Sequence, residues 1–99
     1  MLADRWAEQP EAFFATLSSA HRRFVYKAVQ ELCADPFGVS NIKQLSKGDL
    51  AGLWRRLVDR TPYRIIYDVD RENGWLLIYG LDRRPTVYTQ ADIDLSAFD

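Results

Sequence analysis

The chain has 99 residues, 47% of them hydrophobic, and its 13 Lys and Arg against 14 Asp and Glu give a formal net charge of −1. That length sets the expectation of a single domain over residues 1–99, with a core that can form but stays small. No apolar run is long enough to span a bilayer, and the near-neutral balance argues against a uniformly basic nucleic-acid binder. A lone Cys33 excludes an internal disulfide and fits a reducing cytoplasm, while Asp4, Arg5, Glu8 and Glu11 do not make a secretion signal.

Alternation across residues 2–7 is poor, interrupted by Asp4, and marks at most a short strand. Pro10 is placed to open a helix, because a first-turn proline loses no needed hydrogen bond. Phe13, Phe14 and Leu17 follow as one apolar stripe. Ser18 and Ser19 break the pattern and offer an N-cap. Phe24, Val25, Ala28, Val29, Leu32 and Cys33 then repeat with the spacing of an amphipathic helix. Asp35-Pro36 stops it, since the residue before proline disfavours helical geometry. The short connection predicts an antiparallel helix pair.

Pro36, Gly38, Gly48 and Gly52 punctuate residues 36–52 as a loop region. From Leu53 the period changes to two, predicting strands at 53–58, 63–70 and 75–81. Residues 59–62 form one tight turn and 71–74 another, with Asn73-Gly74 supplying positive-φ residues. The order predicts an α+β domain in which a helix pair covers one face of a small, twisted, mostly antiparallel sheet.

Charge is distributed unevenly. Between residues 41 and 64 stand Lys43, Lys47, Arg55, Arg56, Arg60 and Arg64 against Asp49 and Asp59, whereas the final eight residues hold Asp92, Asp94 and Asp99 and no base. A basic middle with an acidic tail suits a local anionic-ligand site. If Arg60-Thr61 is the centre of a hairpin, Leu57 lies opposite Arg64 and Arg55 opposite Ile66. These four then share a face, away from Tyr63, Ile65 and Tyr67. A slip of one residue reverses the faces. Two guanidiniums so close repel, and a bound polyanion relieves the repulsion.

Each residue also has a plainer reading. Arg55 and Arg64 suit an ion pair with Asp68, Asp70 or the acidic tail, although two arginines on one face exceed what one partner needs. Arg56 and Arg60 read as solvated charges, Arg83-Arg84 as an exposed loop, and Tyr88 as strand packing. Trp54 and Trp75 read as packing residues, His21 as solvent-facing, and Cys33 as a small, unreactive core residue.

With these residues assembled, the chain resembles the RelE/ParE superfamily of bacterial toxins from type II toxin–antitoxin pairs. The resemblance rests on Lys43-Gln44-Leu45, Gly52-Leu53-Trp54-Arg55, Tyr63-Arg64-Ile65-Ile66-Tyr67, and Asp82-Arg83-Arg84 with Val87-Tyr88. Each stretch is weak alone; their order and spacing are more specific. The RelE branch implies a metal-free, cofactor-free endoribonuclease that cleaves messenger RNA on the ribosome, by attack of a 2′-hydroxyl on the adjacent phosphorus. By position in these motifs, Arg55 falls on a basic strand residue, Arg64 on the arginine at the scissile phosphate, Arg83 on the arginine at the leaving group and Tyr88 on the tyrosine that orients the nucleotide. Lys43, Lys47, Arg56 and Arg84 are carried as RNA-binding residues, and Leu57 stands where the family has a second basic residue. The ParE branch implies inhibition of DNA gyrase, and a non-toxic relative that only binds an antitoxin is a third reading. The family further implies a cognate antitoxin, a heterotetramer or higher assembly, and a cytoplasmic location without membrane contact.

Overall fold

The computed structural model describes residues 1–83 and 93–99. Strand β1 (Ala3–Trp6) leads into helices α1 (Glu8–Ala15) and α2 (Ser19–Ala34), then strands β2 (Ile42–Gln44), β3 (Trp54–Leu57), β4 (Tyr63–Asp70) and β5 (Trp75–Arg83). The strands form one sheet in the order β1-β5-β4-β3-β2, antiparallel except where β1 runs parallel to β5.

Helix α1 starts two residues before Pro10, which sits third in the first turn, where backbone N–H groups have no intrahelical acceptor. Gln9 ties α1 to β5 in the manner of a strand pair: its Nε2 donates to Leu81 O at 2.9 Å, and its Oε1 accepts from Leu81 N at 3.1 Å. Ser18 caps α2 by accepting from His21 N. The stripe Val25, Ala28, Val29, Leu32 and Cys33 is buried against Tyr63, Ile65, Tyr67, Leu76, Ile78 and Leu81, which makes the main core. Burial pushes the Cys33 thiol up from its ordinary pKa, with Asp4 adding to the shift. Burial also raises the Tyr67 phenol to about 12, and its hydroxyl donates to Pro36 O at 2.7 Å.

The region 36–52 is more ordered than its prolines and glycines suggest. It holds β2 and a 3-10 turn, Gly48–Leu50, and Leu45 N donates to Leu53 O while Gly52 N donates to Leu45 O. These bonds fold the turn onto the sheet face opposite the helices. There Leu50, Leu53, Ile66 and Ile93 form a second, smaller core.

Both tight turns close four-residue loops. Val58 N donates to Tyr63 O, and Arg60 takes a positive φ of 64°. In the other turn only Gly74 has positive φ, at 72°. Asn73 instead donates from its backbone N–H and its side-chain amide to the Asp70 carboxylate, so that carboxyl lies below its ordinary pKa. The β3–β4 register is the expected one, Leu57 opposite Arg64 and Arg55 opposite Ile66. Between Ile66 and Tyr67 the β4–β5 register shifts: Tyr67 pairs with Ile78 and Ile66 with Gly80, which leaves Tyr79 as a bulge. A bulge reverses which residues of the strand face which side from that point on.

Candidate nucleic-acid interface

Cross-strand partners share a face, so the register lays out the outer surface in rungs. Lys43, Arg55, Ile66 and Gly80 form one rung across β2 to β5, and Leu57, Arg64 and Asp82 form the next. The helix-facing rung between them is Ile42, Arg56, Ile65 and Leu81. Two basic strand residues, Arg55 and Arg64, therefore do stand together on the face away from the helices.

The 3-10 turn closes this patch into a cleft of about 370 Å³ lined by Lys43, Leu45, Ser46, Lys47, Leu50 and Arg64. Three of the predicted RNA-binding or catalytic cations thus converge, with Arg55 half-buried on the same face. Leu45 and Leu50 line the site, packed on Ile66 beneath, and reduce water around the charges, which strengthens any charge–charge interaction there. Arg64 is only 7% exposed, and its Nε donates to Asp82 Oδ1 at 2.9 Å. Asp82 belongs to one of the motifs, yet its carboxylate had no assigned role. It comes beside Arg64 because of the bulge at Tyr79.

The same bulge sends Arg83 to the other side of the sheet. Arg83 lies opposite Tyr63 on the helix face, its guanidinium carbon 5.7 Å from the Tyr63 ring. His21 is there too, half-buried rather than solvent-facing, with Nδ1 3.1 Å from Tyr63 Oη and its ring edge-on to the phenol. Arg83 therefore does not stand with Arg55 and Arg64. Arg56 is also on the helix face, at 6% exposure, where its Nη1 donates to Ala28 O at 2.8 Å and its Nη2 to Glu31 Oε1 at 2.9 Å. This corrects both readings of Arg56, as a solvated charge and as an RNA contact, because the side chain fixes α2 to the sheet. Arg84 and Tyr88 lie outside the described residues.

Trp54 packs against Phe37 at 4.9 Å, and Trp75 carries the Arg5 guanidinium at 4.2 Å from its ring. The C-terminal segment crosses the outer face on its β5 and β1 side. Ile93 seats over Gly80, and Phe98 stands edge-on to Tyr79 at 5.0 Å, so Asp94 and Asp99 are drawn away from the lysines. Burial raises the Tyr79 phenol pKa there, with Asp68 and Asp99 adding to the shift. Among the described residues no group of three or more His, Cys, Asp or Glu stands close enough to hold a metal, and no helix is long and apolar enough to cross a membrane.

No protein-family profile and no curated protein matches the chain. Solved structures do. The RelE–RelB toxin–antitoxin complex of E. coli superposes with a TM-score of 0.70 at 18% identity, over 86% of this chain and 99% of that one. The archaeal RelE–RelB complex of Pyrococcus horikoshii gives 0.68 at 20% identity, over 87% and 98%. The isolated E. coli RelE toxin gives 0.69 at 19% identity, over 92% and 95%. The chain has the RelE fold. The helix pair and the small, mostly antiparallel sheet expected from the sequence match that fold, and the observed sheet has five strands. At these identities the likeness concerns the backbone, so the chemistry of this RelE-fold protein has to be argued from its own cleft.

Proposed function

We propose that this chain is the toxin of a type II toxin–antitoxin pair, acting as one domain, and that it cleaves messenger RNA in the ribosomal decoding site. The observation that carries the reading is the convergence of Lys43, Lys47 and Arg64 on one cleft of a RelE-fold sheet, with Arg55 alongside. In the proposed reaction the ribose 2′-hydroxyl attacks the adjacent phosphorus and the bond to the 5′-oxygen breaks. Negative charge builds on the phosphorane oxygens, where Arg64 and the two lysines stabilise it without a metal. Arg55 holds the neighbouring phosphate. Arg83 stands on the far side of β5, away from the phosphorane, and its removal is the control for the cleft. The expected partner is an antitoxin whose acidic segment covers the basic cleft, as befits a fold whose relatives were solved as RelE–RelB complexes. A cytoplasmic location goes with a ribosomal target.

The test is to incubate the purified chain with programmed ribosomes and map transcript 3′ ends. Wild type is expected to create new ends in the decoding site, and Arg64→Ala to lower the rate by roughly 10² or more, the usual loss when a charge-stabilising donor goes. Absence of new ends with wild type, or equal cleavage by Arg64→Ala, refutes the reading.

A second reading is favoured by two observations: Arg64 is ion-paired with Asp82, and Arg83 faces away from it. Under it the chain binds without cleaving, either as a gyrase inhibitor or as a relative that only engages an antitoxin. Growth arrest with intact transcripts and blocked supercoiling supports the gyrase form; no arrest on expression supports the antitoxin-only form.

A further inference from the structure

Arg64 and Asp82 face one another directly on β4 and β5, on the outer side, with side chains 9% and 21% exposed and Nε to Oδ1 at 2.9 Å. A carboxylate and a phosphate make the same kind of charge-assisted bond to a guanidinium. Neighbouring cross-strand side chains sit roughly 5 Å apart, so a phosphate drawn to Arg64 also meets the charge of Asp82. Leu45 and Leu50 line the same cleft and limit the screening of that repulsion by water.

We propose that Asp82 sets the strength of the phosphate cleft. Its carboxylate stands in for a phosphate on Arg64 in the free protein. RNA binding therefore requires displacing it, and a lone single strand is held weakly. This rests on the RNA-binding reading above and adds to it a named residue that opposes the ligand. Full engagement then depends on an RNA that supplies further phosphate contacts through Lys43, Lys47 and Arg55.

The test is fluorescence anisotropy with a labelled single-stranded RNA of about ten nucleotides, a length within the usual span of one single-strand groove. Asp82→Asn keeps the shape and a hydrogen-bond acceptor but removes the charge. It is expected to bind roughly tenfold tighter than wild type, with a salt slope steeper by about 0.7 as one more cation meets phosphate. Asp82→Glu is expected to return wild-type affinity, and Asp82→Ser repeats the measurement if the asparagine variant unfolds. Glu72→Gln, the same charge change in the exposed turn at the far end of the β4–β5 hairpin, controls for net charge. In an Arg64→Ala background, Asp82→Asn is expected to bring no gain, because the two act as a pair. The inference is overturned if Asp82→Asn binds no tighter than wild type, if Glu72→Gln gains equally, or if the gain persists without Arg64. Wild-type binding that Arg64→Ala weakens leaves the RNA reading standing in those cases. Failure of both wild type and Asp82→Asn to bind RNA sinks both.

Discussion

Replacing Arg56 by alanine tests whether that arginine is a structural tie or a surface charge. Its side chain is 7% exposed beneath α2, bonded to Ala28 O and to Glu31, while Glu31 itself is 45% exposed. Truncation removes about three buried methylene-sized groups, worth about 2 kcal/mol at ~0.8 each, and leaves a cavity between helix and sheet. The lost bonds are offset in part because a guanidinium no longer has to be desolvated, and its Nε has no hydrogen-bond partner among the described residues. The net expectation is a loss of about 3 kcal/mol, a large share of the 5–15 kcal/mol typical of such a domain. At about 4–8 °C per kcal/mol, the melting temperature falls by roughly 12–24 °C. Arg56→Met keeps the stem and needs no counter-charge, and stays within about 1 kcal/mol of wild type. Urea unfolding followed by circular dichroism measures all three chains. Wild-type stability in Arg56→Ala refutes the argument, as does a methionine variant as unstable as the alanine one.

Tyr67 makes the fold sensitive to alkali. Its phenol is protonated up to about pH 12 when folded and ionises near 10 when unfolded. Its contribution is complete below pH 10 and is lost as the pH rises toward 12, by about 2–3 kcal/mol; unfolding titrations of Tyr67→Phe are expected to lack that drop. Gly80→Ala places a methyl group against Ile93 Cδ1 and 3.5 Å from Ile66 Cβ, so Ile93 has to shift. A cost of about 1–3 kcal/mol and faster proteolysis of the C-terminal segment are expected, and unchanged proteolysis argues against Ile93 seating there. Gln9→Ala removes two bonds to Leu81 and is expected to cost about 1–3 kcal/mol, read by thermal unfolding.

Parity along β3 and β4 was enough to put Arg55, Leu57, Arg64 and Ile66 on one face, because a loop of known length and a buried opposite face leave little freedom of register. By the same parity Arg56 points at the helices. That it is buried depends on Glu31 and Ala28, which α2 brings within reach across 25 and 28 residues, and no local pattern records that. Strand β2 was invisible because three residues carry too little alternation, and its neighbours secure it through Leu45, Gly52 and Leu53. Arg83 was misplaced for a different reason. Its place beside Arg64 rested on motif position, with the strand expected to end at residue 81, whereas the strand runs on to Arg83 and the extra residue at Tyr79 turns that position to the helix face. Gly80 is the sequence trace of that irregularity, since a strand glycine often marks a bulge or a close approach. His21 looked solvated because its partner Tyr63 is 42 residues away.

The bulge at Tyr79 also bears on how this surface can change in descent. Losing the Tyr79 codon removes the extra residue and keeps the pairs on either side: Ile78 still meets Tyr67, Gly80 still meets Ile66, and Asp82 still meets Arg64. The acid beside Arg64 is thus insulated from that deletion, and baring the cationic face in descent falls to substitution at position 82.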